Sequence, residues 1–183
     1  QHHWKLGNYE KAQHFIEQSM AVHKKEFSSR ADYCLSWTRT SLGNIYRDSG
    51  RYKEARALLE EGCVFRKKFY GERHFQTAKI LRDLGQLSLA EGDIKEAERL
   101  FKESLSIFQE TQHVDIYTTL ESLADLCFKK SSLLEKQGSI QQAKLFKVHA
   151  ISYLKQALDT VNKRFPIDSA HRLRILDKLQ RLQ

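Results

Sequence analysis

Eight histidines, three cysteines and 23 acidic residues carry the groups that metal binding or acid–base chemistry would use. Their spacing decides whether such chemistry is present. A structural or catalytic metal site needs His, Cys or carboxylate ligands a few residues apart in pairs. Here only His2 and His3 are neighbours, and neither Cys-x-x-Cys nor His-x-x-x-His occurs. That pair reads as an exposed chain end. Gly85 and Gly92 sit in helical context with no Gly-Lys-Ser/Thr behind them, so a phosphate loop is missing too. Ser, His and Asp are scattered along the chain rather than set out as a nucleophile, base and orienting acid. The expectation is a protein without catalysis, metal or cofactor. Cys34, Cys63 and Cys127 lie far apart within apolar helical patterns. They read as buried free thiols in a reducing, cytoplasmic setting.

Charge offers a second kind of chemistry. The net charge is +8 and the pI about 9.4, which permits an acidic or nucleic-acid partner. Lys24-Lys25, Arg66-Lys67-Lys68 and Lys163-Arg164 fall near the C-terminal ends of helical patterns, where cations complement the helix dipole. Gln109-Glu110 interrupts the series, and aromatic residues do not interleave with it as a base-stacking surface would require. A nucleic-acid-binding array using this basic edge stays open as an alternative.

The elements that would position these residues follow from a pattern written four times: Gly7-Asn8-Tyr9-Glu10-Lys11-Ala12, Gly50-Arg51-Tyr52-Lys53-Glu54-Ala55, Gly92-Asp93-Ile94-Lys95-Glu96-Ala97 and Gly138-Ser139-Ile140-Gln141-Gln142-Ala143. The intervals are 43, 42 and 46 residues, the range of a stacked repeat array. In the second unit Leu42, Gly43, Ile45 and Tyr46 precede the turn, and Tyr52, Ala55, Leu58, Leu59 and Gly62 follow it at helical spacing. The third unit repeats this with Leu81, Leu84, Gly85 and Leu87, then Ile94, Ala97, Leu100, Phe101 and Ser104. Each unit is therefore a helix, a tight Gly turn and a second, antiparallel helix. Hydrophobic residues at 40%, charged residues at 30% and a mean hydropathy of −0.60 suit such a chain. No apolar run reaches the roughly 18 residues that span a bilayer.

The run Leu42-Gly43-Asn44-Ile45-Tyr46 with Gly50, Tyr52, Ala55 and Leu59 resembles a tetratricopeptide repeat, and unit three matches with Ser88 in place of the tyrosine. The period near 42, with Gly71-Glu72-Arg73-His74 and Thr77-Ala78 between units, is similar to the longer repeats of kinesin light chains. The resemblance implies an all-α, right-handed superhelical solenoid of antiparallel helix pairs forming a single domain over 1–183. Its units are about 1–30, 31–71, 72–111 and 112–166, with a capping helix over 167–183.

Unit four departs from its neighbours. Ala124 takes the Gly43/Gly85 position, but Gly138 follows it by 14 residues where Gly50 and Gly92 follow theirs by 7. Seven added residues are two helical turns and leave the buried face in place. The counterparts of Ala55, Leu59 and Gly62 then become Ala150, Leu154 and Ala157, in a long hairpin with its tip near Gly138. After Phe165-Pro166, Leu173, Leu176, Leu179 and Leu182 mark an amphipathic helix with a polar outer face, as a terminal cap requires. Six residues before Gly7 are too few for a first helix, so the chain is expected to be part of a longer one.

By resemblance, the first helix of each unit lines a concave surface. The exposed positions are Trp37, Thr40, Asn44 and Arg47 in unit two, Lys79, Arg82, Gln86 and Leu89 in unit three, and Thr118, Glu121, Asp125 and Phe128 in unit four. This mixture of polar residues with a few apolar ones suits an extended or helical peptide. A chaperone-type carboxylate clamp is poorly matched, since Asn44 is accompanied by Thr40, Asp83, Thr118 and Ser122. The asparagine position of kinesin light chains holds Ser41, Asp83 and Ser122. The reading is a noncatalytic adaptor whose groove takes a protein or peptide partner, with the long hairpin as a second contact surface. A sensory module of a larger ATPase or transcription regulator is the other alternative. Self-association through groove or hairpin stays open.

Overall fold

Positive φ angles at Gly50 (80°), Gly92 (92°) and Gly138 (78°) mark where the chain reverses between helices. Only a residue without a Cβ adopts this conformation at little cost. The computed structural model describes residues 29–182, with His14, Glu17 and Gln18; over residues 29–35 only the backbone is described. The first copy of the Gly-to-Ala pattern, His2, His3, Lys24-Lys25 and the Cys34 side chain lie outside the described residues.

Among the described residues there are seven helices and no strand. They are α1 (Ser29–Asp48), α2 (Tyr52–Tyr70), α3 (Phe75–Glu91), α4 (Ile94–Glu110), α5 (Ile116–Lys136), α6 (Ile140–Arg164) and α7 (Ala170–Gln180). None is long and apolar enough to cross a membrane. Two compact units divide the chain at Glu91 and Gly92.

In the first unit, α1 and α2 form one helix pair and α3 packs against α2. Leu42, Tyr46, Ala55, Leu59, Ala78, Leu81 and Leu84 are all buried here. The pair closes tightly because Gly43 has no side chain. A Cβ there would lie 2.9 Å from Leu59 Cγ and 3.3 Å from the Ala55 carbonyl oxygen. Gly62 plays the same part toward Thr40, whose hydroxyl would be 3.2 Å from an added Cβ. Arg66 corrects the picture of an exposed basic run. Lys67 and Lys68 occupy the last turn of α2, but Arg66 is 2% exposed. The small residues around it leave room for the guanidinium beside α1.

In the second unit, α5 and α6 are 21 and 25 residues long against 17 for α4. Their shared core joins Tyr117, Leu120, Ala124 and Cys127 to Ala150, Leu154, Ala157 and Val161. Toward the tip, the buried Ser131 hydroxyl donates to the Ala143 carbonyl at 2.9 Å. This bond holds the outer turns of the hairpin together. Ser104 and Thr119 share a buried hydrogen bond at 3.0 Å between α4 and α5, and Lys130 reaches back to Glu98. Helix α6 ends at Phe165-Pro166, and Ser169 caps α7 by accepting from the Arg172 amide. Within α7, Ile175 and Leu179 are buried while Leu173 is exposed. Leucines at every third residue drift around a 3.6-residue helix. The i, i+4 pair faces the core instead.

Two outcomes follow from this packing. Gly43→Leu forces α1 and α2 apart and is expected to cost about 1–3 kcal/mol, read from the shift in urea midpoint at unchanged helical circular dichroism. Burial pushes the Cys127 thiol up from its ordinary value. The folded state therefore favours the neutral thiol. Its stabilising contribution is complete below about pH 8.5 and is lost as the pH rises through the higher folded value. Alkylation at Cys127 near pH 8, followed by peptide mapping, is expected to be at least tenfold slower in the native protein than in urea; equal rates contradict the burial.

Candidate functional site

The spacing of Trp37, Asn44 and Arg47 on α1, and of Lys79, Arg82 and Gln86 on α3, places each trio on one helical face. In the first unit these faces are joined by side chains. Arg47 Nη1 donates to Asn44 Oδ1 at 3.0 Å and to Gln86 Oε1 at 2.6 Å, while its Nη2 lies 2.8 Å from Asp48. Asn44 Nδ2 donates to Asp83 Oδ2 at 3.4 Å, and Arg82 grips Asp83 through Nη2 at 2.7 Å and Nε at 3.2 Å. Asp83 itself is buried, so its charge is met by Arg82 and not presented to solvent. Lys79 lies over the Phe75 ring at 5.5 Å. The result is a half-buried polar ladder with Trp37, 37% exposed, at one end.

Thr40 differs from the sequence expectation of an exposed position. It is 6% exposed, donates to the Ser36 carbonyl at 2.8 Å and accepts from Arg66 Nη2 at 3.2 Å. The Arg66 guanidinium stacks over Trp37 at 4.8 Å, so the buried arginine supports the indole from behind. Burial draws the Arg66 pKa down, and the Asp83 charge opposes that shift. Arg66 is the residue that sequence reasoning missed here. Gly62, four residues before it, was the available signal of space.

In the second unit Glu121 and Asp125 lie on α5 and both pair with α7, which encloses Glu121 and leaves Asp125 about half exposed. Arg174 Nη2 and Nε donate to Glu121 at 2.6 and 3.0 Å, and Lys178 Nζ donates to both Asp125 oxygens at 2.8 and 2.9 Å. Glu121 is 5% exposed, a correction to its expected place on an open face. Its carboxylate holds the Arg174 pKa above the ordinary value. The two pairs share one spacing, i and i+4 on both helices, a sequence signal that would have found them. Thr118 donates to the Asp115 carbonyl at the start of α5, and Phe128 is half exposed. Phe128 lines a cavity of about 240 Å³ with Ala124, Asp125, Leu154, Lys178, Arg181 and Leu182. No group of three or more His, Cys, Asp or Glu that could hold a metal occurs among the described residues.

Known proteins resemble this chain in fold. BtubC (BKLC) from P. vanneervenii matches with a TM-score of 0.62 at 18% identity over 89% of this chain, which spans 61% of that protein's length. The nearly identical TPR-like repeats of a Podosopora anserina protein assigned as a kinesin light chain match at 21% identity and a TM-score of 0.59, covering 99% of this chain and 81% of that one. A variant of the same protein gives 20% identity and 0.62, covering 99% and 80%. No curated protein matches by sequence. The family model described as Tetratricopeptide repeat matches residues 1–67 and 64–110, more than half of the sequence. With helix pairs closed at Gly43 and turned at Gly50, Gly92 and Gly138, the chain belongs to the tetratricopeptide repeat family, whose fold serves as a protein–protein interaction scaffold.

Proposed function

We propose that the chain is a noncatalytic cytoplasmic adaptor that binds an extended or helical segment of another protein on the α1–α3 face of its first unit. The observation that carries this reading is the Arg47 guanidinium. It bridges Asn44 on its own helix and Gln86 on α3, with Arg82 and Lys79 on the same face of α3 and Trp37 about three turns back along α1. Such a face offers hydrogen-bond donors and acceptors at regular intervals plus one aromatic surface. These are the features that hold a peptide backbone in one register and seat an apolar side chain.

The polar links cost little to rearrange, because half-exposed ion pairs and hydrogen bonds contribute only about 0.2–1 kcal/mol each. A peptide that supplies its own carbonyls and carboxylates can exchange for them. Glu121 and Asp125 are outside this surface, since α7 already meets their charge. Thr40 serves the packing of the face and not its contacts with a partner.

Affinity capture from cell extract with the intact chain and with an Arg47→Ala, Lys79→Glu variant tests the reading. At unchanged circular dichroism, a protein retained by the parent is expected to fall at least tenfold with the variant. Equal recovery of the same protein sinks the α1–α3 face as the binding surface. Recovery of mainly nucleic acid, falling steeply with salt, transfers the role to the basic residues of this +8 chain.

A further inference from the structure

Helix α7 packs along α6 and reaches α5 through long polar side chains. Its 11 residues bury only Ile175 and Leu179 fully. Most of the rest of its hold on α5 is polar: Arg174 on Glu121, Lys178 on Asp125 and, at 3.9 Å, on Glu121, and His171, whose ring also packs on Tyr117 at 5.2 Å, against the Tyr117 hydroxyl at 3.1 Å. Since residue numbers rise together in these pairs, α7 runs parallel to α5. The seat it occupies is an acidic pair at i and i+4 beside an apolar trough of Ala124 and Leu154. The chemistry of the occupant is on display: Arg, Ile, two residues, Lys, Leu.

We propose that this seat is a docking site for a basic amphipathic helix of a partner protein, held closed in cis by α7. A cis occupant with two buried apolar residues and a polar grip is displaceable by a helix of the same pattern. The hairpin beneath is longer than its cover. Helix α5 runs 11 residues past Asp125, and the 240 Å³ cavity floored by Ala124, Phe128, Leu154 and Leu182 opens where α7 ends. A partner helix one or two turns longer than α7 places a further apolar side chain over Phe128, which α7 leaves about half exposed. Farther along the hairpin lie Lys136, Lys144 and Lys147 with one acidic residue, Glu135, bound to Lys147 at 2.7 Å. The fitting partner is therefore basic in its first turns, apolar at the cavity and acidic after it. This site is distinct from the α1–α3 face and stands or falls separately.

The test uses the full chain and a fluorescein-labelled peptide of residues 169–182 as the probe, followed by fluorescence anisotropy. A chain carrying Arg174→Glu and Lys178→Glu vacates the seat, because its own α7 is repelled by Glu121 and Asp125. It is expected to bind the unaltered peptide on the order of tenfold more tightly than the parent chain does, the factor by which cis occupancy lowers apparent affinity. Adding Glu121→Lys and Asp125→Lys to the parent is expected to remove binding. Equal affinity in parent and vacated chains, binding to neither, or binding that survives the Lys substitutions overturns the proposal. If the Glu variant loses helical circular dichroism, Arg174→Gln with Lys178→Gln takes its place and must show the same gain. Amide exchange on the parent chain supplies a second reading: residues 170–180 are expected to exchange at least tenfold faster than 150–161, and equal protection overturns the idea of a displaceable helix.

Discussion

The close crossing of the two helices of a repeat is the constraint on which the rest depends. At Gly43 the partner helix comes so near that an added Cβ would meet Leu59 Cγ at 2.9 Å and the Ala55 carbonyl oxygen at 3.3 Å. Helices normally pack with axes 8–10 Å apart, set by the side chains at the contact. A position without a side chain lets the two backbones approach more closely there. Ala55 and Leu59 then fill the space that the glycine vacates, and both are fully buried. In the second unit Ala124 does the same work against Ala150 and Leu154. A helix pair closed this way still has an uncovered flank. Neighbouring helices cover it, which is why such units occur stacked.

Once the inner faces are committed to packing, the outward positions of the first helices can be satisfied only sideways. Arg47 reaches Gln86 and Asn44 reaches Asp83 in the first unit, while Glu121 and Asp125 meet Arg174 and Lys178 in the second. The two cases differ in burial. Asn44 and Arg47 keep contact with solvent, so their links resemble surface pairs and contribute geometry more than stability. Glu121 is nearly enclosed, and removing its arginine would leave a carboxylate with poor access to water. That is costly in a way a surface pair is not. The same row of positions thus makes an open polar face in one unit and a closed, charge-matched joint in the other.

The fold was legible because its signals are local. Glycine at positive φ ends a helix wherever it stands, and the Gly-to-Ala interval repeats, so helix boundaries near Gly50, Gly92 and Gly138 could be read directly. Burial at the site was not legible, because it depends on residues distant in sequence. Thr40 is covered through the absence of a side chain at Gly62, 22 positions later, and Arg66 fills the adjoining space. Glu121 is covered by Arg174, 53 positions on. The resemblance placed Glu121 on an open face and the basic run placed Arg66 at a helix end, and neither reading could see the distant partners that allow charged residues to be buried. The leucines of α7 misled for another reason. A three-residue stripe turns away from the core, and Ile175 with Leu179 carries the contact that Leu173 does not.

Length, more than charge, sets where the second unit keeps surface to offer. Lengthening α5 and α6 by whole turns preserves the inward face, so Cys127, Ser131 and Ala143 remain buried far along the hairpin. The bond from Ser131 to the Ala143 carbonyl shows that these outer turns are packed against each other. Such an extension stabilises itself through its own inner face, but its flank outruns the shorter helix α7 that packs beside it. Helix α7, with 11 residues against 21 and 25, ends beside Phe128. Apolar flank residues past that point, Phe128, Ile140, Leu145 and Val148, are all about half exposed. A compact repeat would have hidden their counterparts under the next helix. The two added turns therefore convert what is ordinarily an internal joint of the stack into exposed surface, without changing the residues that hold the hairpin together.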